Sequence, residues 1–228
     1  MDHFQIDHIC NHSDQGGRYA YHRQPQIMHW NTACLASAFL PLLELTHDAN
    51  NAQTLLREAL EEFAVSYAKA WQFFFRQKLG FTTAQDGDTH LIERLLQAMH
   101  DSRVDFTCFF RQLGQVQQEQ KVQTIALRDH FLDRELIDQW FSDYINRLKS
   151  ENSSDKERQS AMNLVNPKYV LRNHLAQVAI DKAKQHDFSE IQTLLKILSN
   201  PYDEQLEYDA YAMPPPPDIE RVEVSCSS

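Results

Sequence analysis

The sequence predicts a mostly helical protein, with an irregular segment at one end and an extended tail at the other. Between residues 28 and 200, apolar residues recur at the three- and four-residue spacing that is typical of amphipathic helices. Convincing strand alternation is absent almost throughout. The 228 residues include only five glycines, few for an α/β enzyme, whose loops use glycine in tight turns and phosphate contacts. We therefore expect an N-terminal loop (1–27), a helical domain (28–200) and an acidic, proline-rich tail (201–228).

The first two predicted helices are the longest. One begins at Met28 and runs to Pro41, which interrupts or kinks it because proline removes a backbone donor. The second opens at Asn50 or Asn51 and ends near Gly80. Its length is on the order of 40 Å at the rise of an α-helix. Its predicted apolar stripe consists of Leu56, Leu60, Phe63, Tyr67, Trp71 and Phe74.

Shorter helices follow Asp86-Gly87-Asp88, which favours a tight turn and an N-cap. A calcium loop would need further oxygen ligands at fixed spacing, and the sequence lacks them there. The apolar spacing then predicts helices at 91–99, 106–113 and 136–148.

Capping patterns mark the last helices. Ser154 with Glu157 three residues later predicts a capping box at a helix start. Asn166-Pro167 predicts an N-cap followed by proline at the first helical position. Asp187 with Glu190 repeats the capping pattern before the final helix.

The tail begins with an acidic, tyrosine-rich stretch at 202–213, followed by four prolines that must be extended. The acidic stretch either docks a partner or packs back onto its own domain, and the sequence leaves both alternatives open.

Composition excludes several classes of protein. The net charge is -10, whereas a non-specific nucleic-acid surface needs clustered Lys and Arg. No apolar stretch reaches the ~18 residues of a membrane helix, and the first residues lack the features of a signal peptide. We expect a cytoplasmic protein with no nucleic-acid or membrane partner, in a compartment where a disulfide is more often regulatory than structural.

The four cysteines fall into two groups. Cys226 lies two residues from the C-terminus in Ser225-Cys226-Ser227-Ser228, beyond the prolines, where it has no core to pack. Its thiol is either chemically used or simply free and exposed. Cys10 lies near the other end of the chain, while Cys34 and Cys108 lie on apolar helix faces and are expected in the core.

The N-terminal segment contains metal-ligand residue types, but no zinc-type spacing. A nucleophilic mechanism from Cys10 and His12 lacks an orienting third group and an oxyanion hole. Packing and hydrogen bonding around a loop are the better interpretation, and we expect no metal site.

Two long motifs carry a family resemblance. The N-terminal one comprises Ile9-Cys10-Asn11-His12-Ser13-Asp14, Gly17-Arg18-Tyr19, Gln24-Pro25 and Trp30-Asn31. It resembles the activation-segment region of the selenoprotein O family. The second motif runs through Asn166, Pro167, Lys168, Tyr169, Val170, Leu171, Arg172, Asn173, His174, Leu175, Ala176 and Gln177. It resembles the C-terminal signature of that family, which Pro201-Tyr202 and the terminal Ser-Cys-Ser-Ser complete.

The resemblance implies a protein-kinase-like fold, of which this chain is the C-terminal lobe portion. It also implies transfer of AMP from ATP to Ser, Thr or Tyr hydroxyls of protein substrates, with Mg²⁺ or Mn²⁺. The family's ATP-holding, metal-binding and catalytic residues all precede the motif that contains Cys10. None of them is therefore carried over, and we expect this chain alone to bind no cofactor.

The resemblance further implies a regulatory disulfide between the activation-segment cysteine and the C-terminal cysteine, which match Cys10 and Cys226. We thus expect the C-terminal part of a pseudokinase-like protein adenylyltransferase, truncated and inactive by itself. The alternative is a non-catalytic, redox-regulatory helical module that complements a separately encoded N-terminal half.

Overall fold

The computed structural model describes residues 3–119, 122–151 and 153–216. Over these ranges the regular structure is helical and contains no strand, which confirms the prediction of a mostly helical chain. None of the helices there combines the length and apolar character needed to cross a bilayer.

The α-helices of the described ranges follow one another along the chain. In order they are α1 (Gln24–Leu43), α2 (Ala49–Leu79), α3 (Asp88–Ser102), α4 (Phe106–Leu113), α5 (Val122–Arg128), α6 (Arg134–Lys149), α7 (Asp155–Val165), α8 (Asn173–Lys184) and α9 (Ser189–Leu198). Two 3-10 helices, Tyr21–Arg23 and Leu206–Ala212, precede α1 and follow α9.

The described residues form two compact units. Unit 1 contains residues 3–5 and 75–216, and unit 2 contains residues 6–74. The helix α2 belongs to unit 2 up to Phe74 and to unit 1 from Phe75 onward.

Unit 2 consists of the N-terminal segment from Ile6 onward, α1 and most of α2. The helix α1 begins at Gln24, earlier than predicted, with Pro25 in its first turn, where a missing N–H is tolerated. It continues past Pro41 and ends at Leu43, so the proline lies inside the helix and does not interrupt it at its own position. The long second helix is confirmed, because α2 extends over 31 residues.

The core of unit 1 is largely aromatic. The rings of Trp140 and Tyr144, one turn apart on α6, stack with centroids 5.1 Å apart, and both side chains are fully buried. Trp140 Nε1 donates to Leu91 O at 2.8 Å, and the Tyr144 hydroxyl donates to Leu79 O at 2.9 Å. Each buried polar tip thus has the partner that burial requires, and the two bonds join α6 to α3 and to the end of α2.

Two local predictions in unit 1 are confirmed. Gly87 adopts a left-handed φ of 98° in the predicted turn, directly before α3. At α7, Ser154 Oγ accepts from Glu157 N at 3.2 Å and donates to its carboxylate at 2.8 Å. Both residues of the predicted capping box therefore meet at the helix start.

The predicted helix start at Asn166-Pro167 is wrong. Asn166 lies at the C-terminal end of α7, where its N–H bonds Met162 O, and α8 begins only at Asn173. The Asn166 side chain instead bonds the C-terminal turn of α2, because its Nδ2 donates to Lys78 O at 3.0 Å and its Oδ1 accepts from Lys78 Nζ at 3.2 Å. The Asn166 side chain, which local capping rules assign to the start of the next helix, is thus used in a long-range contact with Lys78.

Candidate functional site

The N-terminal motif folds as a tight loop around Asp14. Its carboxylate accepts from Arg18 N and Tyr19 N, both at 2.8 Å, and Gly17 N bonds Asp14 O at 3.1 Å. The Tyr19 N–H is the strongest of the influences that lower the pKa of this carboxyl. Asp14 therefore organises the turn as a charged acceptor of backbone hydrogen bonds.

Asn11 and Ser13 extend the same loop. The Asn11 side chain accepts from Ser13 N at 2.9 Å, and its carbonyl accepts from Asp14 N at 3.0 Å. The neighbouring Cys10 and His12 are exposed, and Cys10 carries a free thiol. Of the metal-ligand residue types in this segment, Asp14 confirms the predicted interpretation as a hydrogen-bonded loop.

Backbone hydrogen bonds join the loop to the 3-10 helix that precedes α1. Tyr21 N bonds His8 O at 2.9 Å, and His22 N bonds Ile6 O at 3.0 Å. Gly17 is buried at φ 62°, and a Cβ there would lie 3.3 Å from Ile9 Cδ1. Glycine suits this position because it adopts the left-handed conformation without strain and leaves room for Ile9.

The second motif lies in unit 1 and is organised by Arg172, whose side chain is 2% exposed. Its Nη1 lies 2.7 Å from Asp105 Oδ2, and its Nη2 lies 3.2 Å from Cys108 Sγ. The same nitrogen donates to Ala212 O at 3.5 Å. Arg172 therefore links the start of α4 with the 3-10 helix that follows α9, immediately before Asn173 opens α8.

The surroundings of Cys108 make its thiol a poor nucleophile. Burial and the Asp105 carboxylate raise its pKa to about 11, although Arg172 opposes the shift. Since the thiolate is the reactive form, this cysteine serves as a half-buried packing and hydrogen-bonding group. The core expectation is wrong for Cys34, which is exposed on α1.

The acidic stretch after Pro201 packs back onto unit 1. Lys168 Nζ lies 2.6 Å from both Glu204 Oε2 and Asp209 Oδ1, and Arg111 Nη2 lies 2.6 Å from Glu204 Oε1. The Tyr169 hydroxyl donates to Gln205 O at 2.8 Å. We call residues 201–213 the C-terminal clasp. Of the two possibilities open from the sequence, this placement favours packing onto its own domain.

The far end of the C-terminal clasp is held by α9. The Tyr211 hydroxyl donates to Glu190 Oε1 at 2.9 Å, and Lys196 Nζ bonds the Tyr208 hydroxyl at 2.9 Å. Sequence reasoning missed these partners, because single Lys and Glu residues on helices carry no signal of a contact with a distant segment.

The two motifs thus lie in different units, each with its own hydrogen-bond network. Cys226 lies outside the described residues, so the Cys10–Cys226 pairing stays a prediction. Within the described ranges, no group of three or more His, Cys, Asp or Glu side chains is placed to hold a metal ion. The described geometry therefore offers structural networks and one exposed loop thiol, and we derive no catalytic step through ATP or a cation.

Comparison with known proteins gives one consistent match. The family model described as "Protein adenylyltransferase SelO" matches residues 1–199. The chain is 47% identical to the protein nucleotidyltransferase YdiU of Burkholderia multivorans and 46% identical to that of Burkholderia pseudomallei. Both matches cover 100% of this chain and 45% of the relative's length. The chain spans about half the length of the curated relatives it matches, and it belongs to the SelO family of protein adenylyltransferases.

Proposed function

We propose that this chain supplies the helical C-terminal lobe of a kinase-like protein adenylyltransferase. The complete assembly would transfer AMP from ATP to Ser, Thr or Tyr hydroxyls of proteins, and the 228 residues alone would not. The observation that carries the proposal is the match of the whole chain to 45% of the length of protein nucleotidyltransferases.

Charge stabilisation is the reason for expecting no transfer by the chain alone. Transfer of phosphorus groups depends on positioning and on cations that neutralise the developing negative charge. The described residues present no cluster of metal ligands. We therefore assign the binding of ATP and of Mg²⁺ or Mn²⁺ to the portion of the relatives that this chain does not match.

A transfer assay with labelled ATP and Mn²⁺ tests the proposal. The purified chain should give no more labelled protein than a heat-denatured sample. Adding the separately expressed N-terminal part of the Burkholderia multivorans relative should raise labelling well above the sum of the two parts. Labelling by the chain alone would overturn the assignment.

A second candidate function is a non-catalytic, redox-regulatory module that binds a separately encoded N-terminal half. It is favoured by the exposed surface of α1, a helix with no buried residue. Met28, Leu35, Phe39 and Leu42 are spaced by seven, four and three residues, so they share one face, and each is about half exposed (48–60%). We call these four residues the α1 apolar face. Apolar patches of this kind mark interaction sites.

The remaining length of the relatives supplies the occupant that we assign to the α1 apolar face. Co-purification with the N-terminal part of the Burkholderia multivorans relative tests the contact. Leu35→Glu should abolish co-purification, because a charge would be buried in the contact. Ser37→Glu is the matched control, since Ser37 is exposed on the opposite side of α1.

Activity separates the two candidate functions. A complex that forms and transfers AMP supports the adenylyltransferase lobe. A complex that forms without transfer supports the regulatory module. Equal retention of the Leu35→Glu and Ser37→Glu variants would contradict docking on this face.

A further inference from the structure

A concave basic site in unit 2 has no role in the functions proposed above. It is an open depression of about 640 Å³ beside the start of α1. Its lining consists of Gly16, Arg18, His22, Arg23, Gln26 and Ile27. Two guanidinium groups and an imidazole thus line one depression in a chain whose net charge is -10.

Neither guanidinium of this site forms a direct ion pair with any residue that the structure describes. Among the residues that the structure describes, no carboxylate oxygen lies within salt-bridge distance of Arg18 or Arg23. Asp14 is close enough for both charges to help lower its pKa, but its carboxylate oxygens already accept the N–H groups of Arg18 and Tyr19. Asp14 supplies one negative charge against two guanidinium charges, so the site keeps a net positive charge for an outside anion.

The two arginines are held in different ways. The Arg18 guanidinium lies over the Trp30 ring, with Cζ 4.7 Å from the centroid, and 5.7 Å from the centroid of Tyr19. This cation–π contact is not a hydrogen bond, so it leaves the N–H groups of Arg18 able to donate. Arg23 Nη1 donates to Gly16 O at 3.3 Å, and the described residues offer no acceptor to its other N–H groups.

His22 adds a group of complementary character. Its Nδ1 lies 2.9 Å from Ile6 O, and because a carbonyl only accepts, Nδ1 carries the proton. In the neutral ring, Nε2 is then an acceptor. Donors from two arginines beside one acceptor suit a partly protonated phosphate, which has charged oxygens and one O–H.

The rim of the depression is open at Gly16. A Cβ built at this position meets no atom within 4 Å, so the space beside Arg23 is accessible from solvent. An anion can therefore approach the arginines without any rearrangement of the loop.

We propose that the concave basic site of Arg18, His22 and Arg23 binds a phosphate-class oxyanion. The ligand is either a free oxyanion, such as phosphate or pyrophosphate, or the phosphate ester of a small molecule. Arg–phosphate hydrogen bonds supply the affinity, and the acceptor Nε2 favours phosphate over the fully ionised sulfate. All lining residues belong to unit 2, so oxyanion binding at this site is independent of the proposed AMP transfer.

Calorimetric titration of the full chain with inorganic phosphate at low ionic strength tests the site, with sulfate titrated in parallel. Saturable phosphate binding is expected. The phosphate affinity should fall about tenfold in Arg18→Gln and about tenfold in the separate variant Arg23→Gln, since each removes charge-assisted hydrogen bonds. Circular dichroism verifies that each variant retains its helices. The Arg23→Gln variant tests the site while it leaves the contact between Arg18 and Trp30 in place.

Arg57→Gln is the matched control. It removes the same charge from the same unit, at an exposed position 3.9 Å from Glu61, outside the depression. Phosphate affinity should be unchanged in this variant. An equal loss in Arg57→Gln, or no saturable binding of phosphate, pyrophosphate or O-phosphotyrosine, would overturn the site.

The ligand series separates the two sources. Tighter binding of pyrophosphate than of O-phosphotyrosine identifies a free oxyanion as the ligand. The reverse order identifies a phosphate ester, and both outcomes support the site. The titration uses neither ATP nor a protein substrate, so its failure leaves the proposed AMP transfer untouched.

Discussion

Arg147 on α6 and Asp88 at the start of α3 form a nearly buried ion pair, with 2.6 Å between Nε and Oδ1. Their side chains are 9% and 2% exposed. The same guanidinium lies 2.8 Å from Glu151 Oε1, and its Cζ lies 4.4 Å from the centroid of the Phe81 ring. Two buried carboxylates of unit 1 thus share one cation.

Replacement of Arg147 by methionine should lower the free energy of unfolding by about 3–5 kcal/mol, because it leaves buried carboxylates unpaired. Urea unfolding measures the loss. Arg94→Met is the control, since Arg94 pairs with Asp143 at 2.6 Å on a more exposed surface and should cost less than about 1 kcal/mol. Similar losses in the two variants would contradict the special role of Arg147.

Glu151 should make stability depend on pH. Burial raises the pKa of its carboxyl, but hydrogen bonds from Thr82, Thr83 and Arg147 outweigh burial and lower it from 4.5 to about 2. Because the folded-state pKa lies below the unfolded one, the carboxylate stabilises the fold above about pH 4.5. This contribution, on the order of 3 kcal/mol, is lost as pH falls towards 2.

The gap in unfolding free energy between the wild type and Glu151→Gln should therefore be widest at neutral pH and narrow below pH ~4.5. Unfolding curves at a series of pH values measure it. Glu93→Gln, at an exposed position on α3, is the control and should show a small gap throughout. A gap for Glu151→Gln that does not change with pH would refute the prediction.

Gly80 should tolerate no side chain. Its φ is 77°, and a Cβ would lie 2.6 Å from Arg158 Cγ and 2.7 Å from Met162 Sδ. Gly87 has a similar φ of 98°, but a Cβ there meets nothing within 4 Å. Gly87→Ala should cost about 1–2 kcal/mol for the left-handed backbone, and Gly80→Ala a further 1–3 kcal/mol or so for overpacking. Thermal unfolding compares the two variants, and equal losses would refute the crowding.

Lys168 should hold the C-terminal clasp in place. Lys168→Met removes the cation that both Glu204 and Asp209 approach within 2.6 Å, so residues 203–212 should exchange their amide hydrogens faster. Hydrogen exchange with mass spectrometry measures this. Lys184→Met, which removes an exposed pair with Asp181, should leave the clasp unchanged. Unchanged protection in Lys168→Met would show that Arg111 and Tyr169 suffice.

Cys10 should be the cysteine that Cys226 joins under oxidising conditions, as the family resemblance implies. Mass spectrometry of unreduced peptides identifies the linked pair, and Cys34→Ser should leave the link intact. Cys34 is also exposed, so it serves as the comparison for Cys10. If Cys226 reacted without selectivity, it would form disulfides with both cysteines. A mixture of Cys10 and Cys34 products would argue against a specific pair.

Sequence patterns predicted α2 closely. The predicted start at Asn50 or Asn51 and end near Gly80 compare with Ala49–Leu79 in the structure. A long run of period-3.6 apolar residues bounded by a glycine leaves few alternatives. The capping box of Ser154 and Glu157 was equally accessible, because both partners lie within one helical turn.

Long-range contacts account for what the sequence could not predict. Asn166 has the local pattern of an N-cap, yet Lys78 engages its side chain across 88 positions of the chain. Cys34 lies on an apolar helix face, but periodicity identifies such a face without showing what covers it. The partners of Lys168 in the C-terminal clasp are likewise set by how helices pack, which single-sequence spacing does not encode.

The C-terminal clasp also fixes a tether point. Near its end, Ala212 O accepts from Arg172 and Cys108, and Cys226 follows Ala212 by fourteen residues. A fully extended chain advances at most about 3.6 Å per residue, so the Cys226 thiol is confined to a sphere of about 50 Å radius around Ala212. If the clasp were released, the last fixed residue before Cys226 would lie in α9. The maximum distance between that residue and Cys226 would then be longer. The ion pairs of Lys168 therefore bear on the maximum distance over which Cys226 can meet a partner thiol.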